Sequence, residues 1–270
     1  MKWFFVKKNF RDGWDNIPWI ITFNIVILAF AAAAYFSVVG IFSINALPET
    51  AAVILSFVII FAGLFFVLSL LLSISDTAAQ IADFQSAAYK DVFTNLKNTF
   101  KDSFLLTLVL TATGLLAGIG IPFYLKMQNM VGFLLAAVLF WAAVSIVLAL
   151  QWFMPLRSQM KGDFKKTLKK SFIIFFDNAG FSIFLFIYTI FLTVFSILLA
   201  FIMPGITGII LAQNNALRLR LYKYDWMEEH PELSEKEARK SIPWKELIAE
   251  DVETLGPQTL KGLIFPWKQD

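Results

Sequence analysis

The chain has no cysteine and a single histidine, His230, among its 270 residues. Disulfides, thiolate metal sites and a His-rich metal cluster are therefore excluded. Charge is scarce as well, at 16% Asp, Glu, Lys and Arg, where soluble domains carry ~25%. The deficit falls in blocks, as separate membrane spans produce. Enzyme signatures are also missing: there is no P-loop, no G-x-S-x-G elbow and no H-E-x-x-H. The basic loops match no nucleic-acid fold. The reading is of a non-enzymatic protein with no cofactor, no metal and no nucleic-acid partner.

Hydrophobic residues fill 58% of the chain. Crossing ~30 Å of hydrocarbon takes about 20 apolar residues. Such runs lie at about 17–42, 51–75, 103–125, 131–153 and 179–203. A sixth, 204–222, contains Asn214, Asn215, Arg218 and Arg220. The first run is too long for a signal core of ~7–15 residues, so it reads as an uncleaved span. The fold class expected is an all-α polytopic membrane bundle, 1–222, followed by an acidic, partly helical tail, 223–270.

Alternate gaps differ in charge. Lys2, Lys7, Lys8 and Arg11 precede the first span; Lys90, Lys97 and Lys101 follow the second; Arg157, Lys161, Lys165, Lys166, Lys169 and Lys170 follow the fourth. The intervening gaps hold only Lys126. Basic loops stay in the cytoplasm, which places the N-terminus inside. Five spans would leave the tail outside and six would return it. Arg218, Arg220 and Lys223 at the end of the sixth run favour six.

A short pattern recurs at the entrance to three of the apolar stretches: VKKNF (Val6–Phe10), LKNTF (Leu96–Phe100) and LKKSF (Leu168–Phe172). The first and third copies are followed by Asp15-Asn16 and Asp177-Asn178. This suggests three related units, each a basic amphipathic lead-in and a helical hairpin, with Pro48, Pro122 and Pro204 at or near the outer turns. On a helix, Lys90, Lys97 and Lys101 share a narrow arc beside Tyr89, Val92, Phe93, Leu96 and Phe100. Such a face suits anionic headgroups or a partner protein. The same holds for Lys165, Lys166, Lys169 and Lys170 beside Phe164, Leu168 and Phe172.

Polar side chains within apolar spans are candidates for function. Asn24, Gln151, Asn178 and Asn214 are the candidates for a substrate path between hairpins; bridging hydrogen bonds between helices is the plainer role. Asp76, Gln80 and Asp83 would align on one helix face, as a relay or as a helix end emerging into water. In the tail, Ser234 and Glu237 form a capping-box pattern. Leu247, Ile248, Val252 and Leu255 give an apolar stripe that stops at Gly256. Phe265 and Trp267, in the closing LKGLIFPWK, could dock on the membrane, a partner or the protein's own body.

Three segments carry a resemblance: KNFRDGWDNIPWIITFNIVIL (Lys8–Leu28), QWFMPLRSQMKGDFKKTLKKSFIIFFDNAGFSIFLF (Gln151–Phe186) and PGITGIILAQNNALRLRLY (Pro204–Tyr222). Over roughly 5–222 the chain resembles the YesL-like family of bacterial integral membrane proteins. The resemblance implies a bacterial cytoplasmic-membrane protein of unassigned activity, often associated with carbohydrate uptake. It supplies no catalytic or binding residues. Three functions remain open: an accessory of a transport system that contacts transporter subunits, a small permease, or a lipid-interacting or homo-oligomeric structural protein.

Overall fold

The computed structural model describes residues 1–44, 47–234, 237, 239 and 241–256. Phe265 and Trp267 lie outside the described residues. Among those described there is no strand. The helices are α1 (Lys2–Asp15), α2 (Ile17–Phe42), α3 (Glu49–Ala82), α4 (Tyr89–Leu115), α5 (Ile121–Leu125), α6 (Met130–Leu150), α7 (Phe153–Met160), α8 (Phe164–Asp177), α9 (Ala179–Leu198), α10 (Gly205–Glu229), α11 (Trp244–Leu247) and α12 (Ala249–Leu255). The expected all-α polytopic bundle is the architecture found.

Five helical stretches are long and apolar enough to cross a membrane: α2, α3, Tyr89–Leu125, Met130–Met160 and α9. The sixth expected span corresponds to α10. It has 25 residues, but its polar side chains keep it out of that set, and Asn214, Asn215 and Arg220 are buried within the protein.

Two of the pattern copies build the same local structure. α1 and α8 both end at the asparagine that follows their Asp. Asn16 and Asn178 take similar backbone angles, φ −115° with ψ 24° and φ −125° with ψ 40°. Each turns its side-chain amide back to a carbonyl four residues earlier, Asn16 Nδ2 to Asp12 O at 2.9 Å and Asn178 Nδ2 to Ile174 O at 3.2 Å. Helix then restarts in α2 and α9. The second copy has no Asp-Asn, and there the lead-in runs unbroken into α4. Gly118 and Gly120 sit in a π-helical turn, Leu116–Gly120, and Pro122 opens α5. The chain reverses only afterwards, before Asn129, whose Oδ1 caps α6 by accepting from Gly132 N at 2.7 Å.

α1 is not a free surface helix. Phe4, Phe5, Lys7, Lys8, Asn9 and Asp12 are all buried, so Lys7 and Lys8 do not face headgroups. Phe5 meets the rings of Phe181, Phe184 and Tyr188 edge-on at 5.2–5.9 Å. The tail folds onto this region: Ile248 and Leu255 join Phe5, Trp152 and Leu217 in one apolar core. Lys7 Nζ donates to Gly256 O at 2.6 Å. The expected Ser234–Glu237 cap forms, with Ser234 N donating to Glu237 Oε2 at 3.2 Å.

Burial is uneven along the helices. In α3 the buried residues run almost continuously from Leu68 to Ala82, while only Ala52 and Ser56 are buried before Leu68. In α6 only Gly132, Ala136 and Ala149 are buried. At 34 residues, α3 is ~51 Å long, far more than ~30 Å of hydrocarbon needs. Its excess length lies at the basic end and forms the densely packed part of the protein.

Candidate functional site

At the basic end, α3, α4, α7 and α10 leave an open polar basin of about 830 Å³. The extension of α3 supplies Asp76, Gln80 and Asp83, which line it together as the helical spacing anticipates. α4 contributes Asn95, Asn98 and Asp102. The turn of chain through α7 contributes Arg157, Ser158, Gln159 and Lys161, and α10 contributes Arg218, Tyr222 and Asp225.

Its charges are largely neutralised by one another. Arg157 Nη1 donates to both oxygens of Asp76, at 2.9 and 3.0 Å, and its Nε donates to Asp102 at 2.8 Å. Three helices are thereby joined by one planar cation, a geometry lysine could not reproduce. Arg218 bridges Asp83 on the rim to Asp251 of the tail, the latter at 3.1 Å, and also donates to Tyr222. Phe84, next to Asp83, lies under two cations, Lys8 at 3.6 Å and Arg218 at 5.2 Å.

Below the basin floor hydroxyls and amides link the helices. Ser158 Oγ bonds Ser75 Oγ at 2.8 Å, Asn214 Nδ2 donates to Ser75 Oγ at 3.1 Å, and Gln159 Nε2 donates to Asn214 O at 3.1 Å. One turn further in, Leu72, Thr99 and Phe153 are fully buried. Gln80, Gln85, Asn95 and Asn98 also line the basin, and their side-chain amides form no hydrogen bond among the described residues.

The four path candidates are not brought together. All are at most 8% exposed, and each is tied into packing. Asn24 Nδ2 donates to Ile202 O and Pro204 O, at 3.0 and 2.8 Å, and its Oδ1 accepts from Thr207 N at 3.0 Å. It thus pins the α9–α10 turn to α2. Gln151 Nε2 donates to Ser182 O at 3.1 Å. Asn178 Nδ2 donates to Tyr224 OH at 2.7 Å. Only Asn214 comes near the basin, through Gln159. None of the four lines it.

None of the seven lysine candidates lines the basin; they sit on elements next to it. Lys90, Lys97 and Lys101 are exposed on the helix that carries Asn95 and Asn98. Lys165, Lys166, Lys169 and Lys170 are exposed on α8, just after Lys161 and Gly162 of the rim. None of the seven forms an ion pair among the described residues. No cluster suited to a metal ion occurs there either.

Sequence reasoning missed Arg157, Asp102, Asn95 and Asn98 as site residues. The available signal was opposite charge at the basic ends of different spans, Asp76 and Asp102 against Arg157. No family model, curated protein or solved structure matches the chain.

Proposed function

We propose that the protein is a non-enzymatic accessory of a membrane transport system, working from the cytoplasmic face of a bacterial inner membrane. The observation that carries this reading is a solvent-open polar basin flanked by two unpaired lysine faces. The faces supply docking charge for transporter subunits or anionic headgroups. The basin supplies a place for a small polar solute. Because Asp76, Asp102, Asp83, Arg157 and Arg218 are already paired, much of its free capacity is the carboxamides of Gln80, Asn95 and Asn98. Carboxamides both donate and accept, which suits the hydroxyls of a carbohydrate better than a bare ion.

A permease reading draws less support. Its four polar candidates are dispersed and buried, each tied to a neighbouring carbonyl, hydroxyl or amide, and the basin ends on packed Leu72, Thr99 and Phe153.

The test is extraction into native nanodiscs followed by native mass spectrometry of what co-purifies. Transporter subunits should be retained, then lost when Lys165, Lys166, Lys169 and Lys170 are changed to Gln. Retention that is indifferent to those changes, or solute flux by the isolated chain in proteoliposomes, would reject the accessory role.

A further inference from the structure

Depth along α3 serves as a ruler for the other helices. α2 and α3 form an antiparallel hairpin in which Gly63 faces Ala34, close enough that an added Cβ would lie 3.2 Å from the Ala34 Cβ. Counting ten residues from that contact toward the basic end brings Asn24 of α2 level with Ser73 of α3.

The first turn of α10 is bonded to Asn24. Seven residues beyond Thr207, Asn214 donates to Ser75 at 3.1 Å. Those seven residues cover ~10 Å of helix axis, whereas Ser73 to Ser75 covers only ~3 Å. α10 is thus inclined to α3 over its first half, and Arg218 then reaches Asp83, so the whole helix lies on the basic side of Ser73.

Bonds at both ends tie α9 to the basic half of the bundle. Near its start, Ser182 accepts from Trp152 Nε1 at 3.0 Å. Trp152 is six residues from Ser158, which bonds Ser75. Near its finish, Ser196 Oγ accepts from Gly205 N at 2.9 Å, beside Asn24.

We propose that α9 does not cross the membrane but lies along the basic-side leaflet, with four helices spanning. Its occupant is the acyl region of that leaflet. Ile183, Ile187, Ile190, Phe191, Val194 and Leu198 are 48–76% exposed and form the face that a lipid layer covers. A crevice of about 310 Å³ between α1 and α9, walled by Phe10, Trp14, Phe191 and Phe195, continues that apolar surface. Exposed Trp3 and Trp14 on α1 belong at headgroup level. This placement also explains why α10 tolerates Asn214, Asn215, Arg218 and Arg220: it packs behind α9, outside the hydrocarbon. The inference is independent of the accessory role.

The lack of native cysteine makes the test direct. Ile183→Cys and Leu198→Cys replace lipid-facing side chains, so packing is spared. Spin-labelled in nanodiscs, the two should report depths within ~5 Å, about one helical turn. A spanning α9 would separate them by ~22 Å, and that result would overturn the proposal. In intact cells, a membrane-impermeant maleimide should label Lys126→Cys, at the α5–α6 turn, and spare Ala200→Cys, at the α9–α10 turn. Labelling of both from outside would overturn it equally.

Discussion

Lys8 and Asp12 form an ion pair at 2.9 Å with side chains 0% and 7% exposed. Burial is the main influence on both. It pushes the Asp12 carboxyl up and the Lys8 ammonium down, against the stabilising effect each has on the other. Such a pair contributes little net stability, yet removing one partner strands a buried charge. Asp12→Asn should cost about 3–5 kcal/mol, and the Lys8→Met/Asp12→Asn double variant should recover most of it. Additive losses in detergent unfolding would show that the pair is not coupled. Asp177 behaves differently. Burial pushes its carboxyl up, but hydrogen bonds from Lys223 at 2.5 Å and Tyr224 at 2.6 Å, with the charges of Lys223 and Arg239, outweigh it and hold it below the usual range. A carboxyl depressed in the folded state stabilises above its unfolded pKa, and that contribution disappears as pH falls through the folded value. Stability should thus decline below about pH 4, and Asp177→Asn should flatten that decline. Gly205 carries a separate constraint: its φ is +59°, and a Cβ there would collide with the Asn24 amide. Gly205→Ala should lower the unfolding midpoint more than alanine at Gly180, where nothing lies within 4 Å.

The lead-in helices show what was legible in the sequence and what was not. The Asp-Asn pairs, legible in sequence as part of a repeat, turn out to mark two helix breaks, where a short amide reaches back to its own helix. Local signals disclosed the Ser234–Glu237 cap and the apolar stripe of the tail. The basin was only partly legible. Asp76, Gln80 and Asp83 share one helix, so spacing alone aligns them. Arg157 and Asp102 lie 81 and 26 positions from Asp76, and only the tertiary fold brings them together. Asn24 and Gln151 stood out because they interrupt apolar runs, but such interruptions cannot distinguish a substrate path from a helix tie. The tail has a mechanical role of its own: Asp251 is 3% exposed and holds Arg218, which forms one wall of the basin. Asp251→Asn should raise hydrogen exchange in α12 and at the basin rim together. Exchange confined to α12 would show that the tail is merely attached.

The molecule as a whole is thick at one end and thin at the other. The outer lengths of α2, α3, α4 and α6 stand as two apolar hairpins with few buried residues, while nearly all of the core lies at the basic end. Apolarity marks five helices as long enough to cross a membrane; it could not reveal that the third hairpin turns aside, because an in-plane helix and a crossing one have similar composition. That unequal cross-section acts as a wedge. One leaflet must make room for α9 and the aromatic face of α1, while the other accommodates only slim helix pairs. Membranes relieve such an area imbalance by bending. The protein should therefore concentrate where the leaflet that holds α9 is stretched convex, and tubes drawn from giant vesicles should enrich or exclude it according to the orientation of its insertion.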